Sequence, residues 1–506
     1  MRRLPAYVGT WAAVAMVAAV LVAGGDTNSD DPTVPAETPP ADTGPNIVLI
    51  TTDDLSLAEM RYLPRVQRLL GEAGVSFTDF VAPQPLCCPS RAQLLTGQYA
   101  QNNGVRHNSG LMGGYQAFDP TTALPVWLQE AGYATAMVGK YLNGYGEAAV
   151  AADGPGSLEV GWDHWDPTIK RVYQYNGYTQ YDDGVLTRPD EYHTDYVGER
   201  SRELIGELTA GDRPFFLWTS FVAPHGVCRL AQEAGGCDHP PIPAPRYRGV
   251  ARGLQALTRV LPSFNERFIG DKPGILHRPP VDAAAVDRLQ QRRAESLVSV
   301  DSQVARMVQV LRRSGELDNT LVVFTSDNGY LLGEHRWVGK VLAYEGSVRV
   351  PMLMRGLGLA RGTLDAQSAG MIDLAPTFAV LAGATPLVEV DGHPLVARRG
   401  EAALERDTRT LLVQAGVANF TRHPEGWLFR GVRTARYTYV YWPRSDFEEL
   451  YDRTLDSTQL RNVAADPAYA AILEELARRT AVLGECSGAA CDVDFGPVPR
   501  ADLPTP

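Results

Sequence analysis

Two pairs of oxygen-bearing residues, Asp53-Asp54 and Asp327-Asn328, stand far apart in the chain, yet each follows an apolar run. An all-oxygen ligand set with three carboxylates suits a hard divalent cation, and a cage built mostly by protein favours Ca2+ over Mg2+. A different chemistry is suggested by Cys87-Cys88-Pro89-Ser90-Arg91, followed by Leu95-Thr96-Gly97. Cys87 and Cys88 are adjacent and poorly placed to bridge one another, so a disulfide between them does not explain the pair. Lys140 closes a Val-Gly-Lys triplet, Lys340 closes Gly-Glu-His-Arg-Trp-Val-Gly-Lys, and His225 ends an Ala-Pro-His triplet. An imidazole exchanges a proton near neutral pH. The net charge of -12 and pI near 5.3 exclude a general nucleic-acid binder, because phosphate backbones select basic faces. An anionic substrate therefore requires a local cationic pocket.

These residues sit where strands should end. Asn46-Ile47-Val48-Leu49-Ile50 is a continuous apolar run, as in a buried central strand, and it delivers Thr51-Thr52-Asp53-Asp54 at its carboxyl end. Tyr133 to Val138 precedes Gly139-Lys140, Pro214 to Phe221 precedes Ala223-Pro224-His225, and Leu321 to Thr325 precedes Ser326-Asp327-Asn328. Active sites of open α/β sheets gather at that edge. Helices are expected over Ala123 to Ala131 and along the stripe Val300, Val304, Met307 and Leu311, which keeps one face until Ser314-Gly315 breaks it. The alternation indicates a large, mostly parallel sheet covered on both faces. After Gly383 shorter alternating segments, Leu428 to Val432 and Tyr437 to Tyr441, lead to a helix near Tyr469 to Leu483, which reads as a smaller α+β subdomain.

The Cys-x-Pro-Ser-Arg run followed by Thr-Gly closely resembles the signature of the sulfatase family. The resemblance extends from about Pro45 past Leu450-Tyr451-Asp452. It implies the alkaline phosphatase superfamily fold, an α/β architecture with a large mixed, mostly parallel sheet flanked by helices (45–384) and a smaller C-terminal α+β subdomain (385–506). It also implies that a formylglycine-generating enzyme oxidises Cys87 to formylglycine. One hydroxyl of the aldehyde hydrate then attacks sulfur, and the other expels sulfate from the sulfated enzyme. On the same resemblance Asp53, Asp54, Asp327 and Asn328, with the side chain at position 87, hold one Ca2+. Arg91 orients the formylglycine, Lys140 and Lys340 bind sulfate oxygens, and His225 either protonates the departing alkoxide or assists deprotonation of the hydrate.

Where many sulfatases carry Lys-x-His, this chain reads Lys140-Tyr141-Leu142-Asn143, so Asn143 takes over that hydrogen bond or the role is missing. That variant, the double Cys, Pro262 to Glu266 and Asp271-Lys272-Pro273 resemble the N-acetylglucosamine-6-sulfatase branch, implying a sulfated small molecule or glycan as partner. His335 matches no role in the core chemistry and reads as structural. The Pro/Gly-rich stretch 226–280 is too long for a connector and is expected to shape the substrate site through Tyr247, Phe264, Asn265, Asp271 and Lys272. The alternatives are a phosphonate monoester or phosphodiester hydrolase of the same superfamily, and an inactive carbohydrate-binding homologue.

Met-Arg-Arg followed by apolar residues to about Ala23 fits a secretory signal over 1–25, with an uncleaved N-terminal anchor as the alternative. Residues 26–44, rich in Asp, Thr, Pro and Ala, read as a flexible linker. Export to a secreted or extracytoplasmic location permits disulfides, and Cys228 with Cys237 and Cys486 with Cys491 are plausible local pairs.

Overall fold

The computed structural model of the protein describes residues 44–146, 159–228, 237, 239–396, 409–421 and 423–502. The expected signal or anchor and nearly all of the linker lie outside them. No helix among the described residues is long and apolar enough to cross a membrane.

A ten-stranded sheet organises the chain. Its strands are β1 (Asn46–Thr52), β2 (Val75–Phe77), β3 (Ala134–Gly139), β4 (His164–Lys170), β5 (Thr179–Asp182), β6 (Val185–Thr187), β7 (Phe215–Ser220), β8 (Thr320–Ser326), β9 (Met352–Arg355) and β10 (Thr363–Asp365). In space they run β10-β2-β9-β8-β1-β7-β3-β4-β5-β6. The five central strands, β8 through β4, are mutually parallel, whereas β9 pairs antiparallel with both β8 and β2. The sheet is therefore mixed, with a parallel middle.

Because side chains alternate across a strand, β1 feeds two cores. Ile47 and Leu49 pack with Leu94, Leu95, Trp127 and Phe378, carried by α1 (Cys87–Thr96), α2 (Leu124–Glu130) and α5 (Leu374–Ala382). Val48 and Ile50 pack with Val197, Leu204, Leu297 and Val304, carried by α3 (His193–Leu208) and α4 (Ala283–Arg313). A strand buried on both faces has no polar side to show, which is why the run 46–50 is uninterrupted. The expected stripe Val300, Val304, Met307 and Leu311 is fully buried on α4, and Ser314 caps that helix.

The C-terminal region forms a separate four-stranded antiparallel meander, β11 (Leu411–Gly416), β12 (Trp427–Arg433), β13 (Tyr437–Trp442) and β14 (Phe447–Asp452), covered by α6 (Ala470–Glu485). Both expected disulfides are present, Cys228–Cys237 and Cys486–Cys491, and Cys87 and Cys88 are free and buried.

The stretch 226–280 departs from its expected role. Lys272 is buried in an ion-paired cluster, 2.9 Å from Asp271 Oδ1 and 3.3 Å from Glu266 Oε1, and donates to the Leu460 carbonyl at 2.6 Å. The second Asp271 oxygen accepts from the Asn462 N–H. Asn265 exchanges two hydrogen bonds with the Val281 backbone, and Phe264 lies against Gly333. Tyr247 stacks beneath Arg246, which is itself paired with Asp195. Their polar groups are spent on internal contacts, several of them fastening this stretch to the C-terminal region. A buried ion pair and a ligand-binding pair look alike in sequence, and partners almost two hundred residues away decide which it is.

Candidate active site

The register of the sheet brings the two oxygen-bearing pairs together. Thr52 on β1 lies opposite Ser326 on β8, so Asp53-Asp54 and Asp327-Asn328 leave neighbouring strands side by side. Successive strand residues normally point to opposite faces. Asp54 breaks that alternation with a left-handed backbone (φ 71°), a conformation unfavourable for a residue with a Cβ and one that re-aims its carboxylate. The turn is held by the Asp54 N–H donating to Asp327 Oδ1 (3.2 Å) and the Leu55 N–H donating to Ser326 Oγ (2.9 Å).

Cys87 opens α1 and meets this edge, its thiol 3.3 Å from Asp53 Oδ1 and accepting from Lys340 Nζ at 2.7 Å. Its helix closes at Thr96-Gly97, where Gly97 adopts φ 68° and a side chain would press on Pro376 and Val390. The Thr-Gly that follows the cysteine signature is thus a helix stop that fits against α5. Burial first, and the negative charge of Asp53 second, push the Cys87 thiol up to about 12, despite Lys140 and Lys340. As a thiol it is protonated at neutral pH and a weak nucleophile. Cys88 points into the core with Leu94, Leu95 and Tyr141.

Three cations converge on the carboxylates. Lys140 pairs with Asp53, and Lys340 pairs with Asp54. Arg91 donates from Nε to Asp327 Oδ2 (2.8 Å) and from one terminal nitrogen to the Lys140 carbonyl (2.7 Å) and Ser220 Oγ (2.6 Å). Its other terminal nitrogen is buried without a partner. Burial alone would raise the Asp53 carboxyl, but Lys140, followed by His225, Lys340 and Arg91, holds it well below the usual range. Asp327 goes the other way, up to about 6, because burial and the Asp53 charge outweigh Arg91.

His225 Nε2 stands 3.6 Å from Asp54 Oδ2, while Nδ1 lies 2.7 Å from the Gly226 carbonyl. A carbonyl only accepts, so Nδ1 carries the proton. Burial lowers the imidazole to about 4, against the pull of Asp53 and Asp54, which leaves a neutral ring with the Nε2 lone pair turned to the carboxylates.

The oxygen donors of this group suit a hard cation, whereas the Cys87 sulfur and the His225 nitrogen do not share that preference. Asp53, Asp54, Cys87 and His225 each offer one ligand atom within 4.8 Å of the others. Asn328 donates through Nδ2 to Asp54 Oδ1 (2.6 Å) and the Gly329 carbonyl, leaving its amide oxygen buried and unpartnered. A buried oxygen acceptor beside two carboxylates is what an oxygen-seeking cation would satisfy. Asp327 stands at the margin of this group, one oxygen taken by Arg91 and the other by the N–H groups of Asp54 and Asn328.

Comparison with known proteins accords with this arrangement. The Sulfatase family model matches residues 45–384, and a model described as N-sulphoglucosamine sulphohydrolase, C-terminal, matches 333–485. The chain belongs to the sulfatase family. With that it is a sulfuric ester hydrolase. This sulfatase is 30% identical to the N-acetylglucosamine-6-sulfatase of Homo sapiens over 88% of this chain and 86% of that protein. It is 33% identical to an extracellular sulfatase Sulf-1 homolog of Caenorhabditis elegans over 69% of this chain, and spans about half of that longer relative (48%). A protein solved in complex with its substrate D-glucosamine-2-N,6-O-disulfate shares the fold, with TM-score 0.65, 22% identity, and 86% of this chain and 96% of that chain covered.

Other residues of this sulfatase's site carry no local sequence signal. Tyr173 stacks on His225 with ring centroids 4.2 Å apart, lies under the Lys140 ammonium at 4.6 Å, and accepts from Asn143 Nδ2 at 2.6 Å. Asn143 thus supports Tyr173, and no hydrogen bond joins it to Cys87. Arg293 on α4 donates to the Asp54 carbonyl (2.5 Å) and both oxygens of Glu59, fixing the turn from behind. His335 pairs with Glu266 (2.6 Å) and stacks on Tyr344, in the structural role expected of it.

Proposed function

We propose that this sulfatase hydrolyses a sulfate monoester on a carbohydrate of the 6-O-sulfated N-acetylglucosamine type, with Cys87 oxidised to formylglycine and one Ca2+ at the carboxylate cradle. The observation that carries the reading is the meeting of Cys87 with Asp53 and Lys340 at one buried point. The buried, protonated thiol supports modification, because an unmodified Cys87 is poorly suited to attack sulfur. When present, the aldehyde hydrate and the cation would supply a nucleophilic oxygen and a concentrated positive charge.

The chain's own groups do the rest. Asp53, Asp54, Asn328 and the side chain at 87 would hold the ion, with Asp327 setting the turn between the two pairs. Lys140 and Lys340 bring ammonium charge to the sulfate oxygens, where low dielectric strengthens each contact. Arg91 locks Asp327 to the start of the Lys140 segment and keeps one N–H pair free for the group at 87. His225 Nε2 is an acceptor at neutral pH, so it takes a proton from the nucleophile and can return it to the leaving alkoxide. The relatives' names support a glycan sulfate as substrate, and the apolar N-terminal stretch supports export, where a formylglycine-generating enzyme would act on Cys87 before folding.

The test is mass analysis of the Cys87 peptide combined with turnover of an aryl sulfate, an aryl phosphonate monoester, a phosphodiester and N-acetylglucosamine-6-sulfate. The reading predicts an aldehyde at Cys87 and the highest kcat/KM on the sugar sulfate. An intact thiol in active enzyme, or preference for a phosphorus ester, overturns it.

A further inference from the structure

Beyond the catalytic edge, a groove of about 580 Å3 runs between the helical segment 57–71 that follows β1 and the outer side of α4. Arg61, Arg65 and Arg68 line one wall of it. Val250, Leu254 and Val298 form an apolar floor. Val250 and Leu254 come from the stretch 226–280, so that stretch reaches a ligand surface through different residues from those its sequence suggested.

All three arginines are exposed. Asp301 is the only acid in the lining, and it is already engaged: Oδ1 accepts the N–H groups of Arg65 (2.8 Å) and Val66 (2.9 Å), and Oδ2 stands 3.5 Å from Arg65. The Arg61 and Arg68 side chains form no ion pair or hydrogen bond among the described residues, although the Asp301 charge is felt at Arg68. The Tyr62 hydroxyl in the same wall is buried and has no hydrogen-bond partner. In a chain of net charge -12, a groove lined by three guanidinium groups against one carboxylate, with an unpaired hydroxyl, is complementary to a polyanion that also offers an apolar face. Pyranose rings bearing sulfates have that combination, and guanidinium forks match sulfate oxygens in the way they match phosphate. The groove runs along α4 from Ala294 to Asp301, about 10 Å, and none of the residues lining it belongs to the active site.

We infer that this groove binds a sulfated stretch of an oligosaccharide. The inference rests on the proposed carbohydrate sulfatase function and adds a second anionic subsite to it.

The experiment measures binding of a heparin-derived hexasaccharide to the full-length enzyme by titration calorimetry at 50 and 300 mM NaCl, alongside kcat/KM on N-acetylglucosamine-6-sulfate. Arg61→Glu/Arg68→Glu should raise Kd for the hexasaccharide at least tenfold and flatten its salt dependence, with kcat/KM on the monosaccharide within twofold of wild type. The milder Arg61→Gln/Arg68→Gln should fall between them. Unchanged Kd in both variants, equal affinity for a desulfated hexasaccharide, or tighter binding of single-stranded DNA of equal charge overturns the inference. Absence of turnover on the monosaccharide, with binding still lost in the variants, counts against the proposed function and leaves the anionic subsite standing.

Discussion

Cys87 and Cys88 differ by one position and face opposite fates, which makes them the sharpest test at the scale of single residues. Cys87→Ala should reduce turnover by at least a thousandfold, into the range left when a covalent nucleophile is removed, with a melting temperature close to wild type. Cys88→Ala should keep kcat within a few-fold and instead lower stability by about 1 kcal/mol, as expected for trimming a buried side chain. Activity assays paired with thermal melts decide it, and reversed outcomes would move the nucleophile. Asp53, Asp54, Asp327 and Asn328 were legible in the sequence because each pair follows a short, β-branched-rich apolar run, the pattern of a buried central strand. Tyr173, Ser220 and Arg293 were not. Each reaches the site across strands or helices distant in sequence, and a tyrosine or serine in such a segment carries no periodicity that marks it.

Among the elements, the parallel centre of the sheet and the long helix α4 followed from apolar runs and a 3.6-residue stripe. The antiparallel pairings did not, because β9, β5 and β6 are short strands whose direction depends on tertiary pairing. For a related reason the sequence of 226–280 does not disclose where its charged residues are spent: Lys272 and Asp271 are satisfied by Leu460 and Asn462. Lys272→Ala should therefore cost about 3–5 kcal/mol by stranding Glu266 and Asp271, with KM of the folded enzyme unchanged. A raised KM at unaltered stability would restore a substrate role. A second tether joins Arg433 on β12 to Glu345 (2.8 and 3.0 Å) and Asp79 (2.6 Å). Despite burial, Arg433 and Arg453 hold the Glu345 carboxyl down at about 2, below its ordinary 4.5. A depressed folded-state value stabilises the protein above the unfolded value and loses that contribution as pH falls from about 5 towards 2. Glu345→Gln should lower the melting temperature at pH 7 and flatten its decline between pH 5 and pH 3, measured by calorimetry against wild type.

At the scale of the whole molecule, an acidic net charge accompanies cations gathered at a few places. The surplus of carboxylates keeps the surface negative, while Arg91, Lys140 and Lys340 are gathered at one edge of one sheet and the arginines 61, 65 and 68 along one groove. An anionic ester meets cations at both places, so salt should weaken binding of a multiply sulfated substrate more than that of a singly sulfated one.

The buried centre also has an internal arithmetic. Asp53, Asp54 and Asp327 face Arg91, Lys140 and Lys340, so the formal charges cancel before any ligand arrives. A dication entering alone leaves an excess of two positive charges in a low-dielectric space, and an anionic ester entering alone disturbs the balance the other way. Each ligand lessens the electrostatic cost of the other. The two sites are then thermodynamically linked, and linkage is symmetrical. Calorimetric titration of Ca2+ with and without saturating inorganic sulfate should show tighter ion binding in its presence, and Ca2+ should tighten sulfate binding by the same factor. Independent affinities would mean that the lysines stay on their carboxylates whatever is bound.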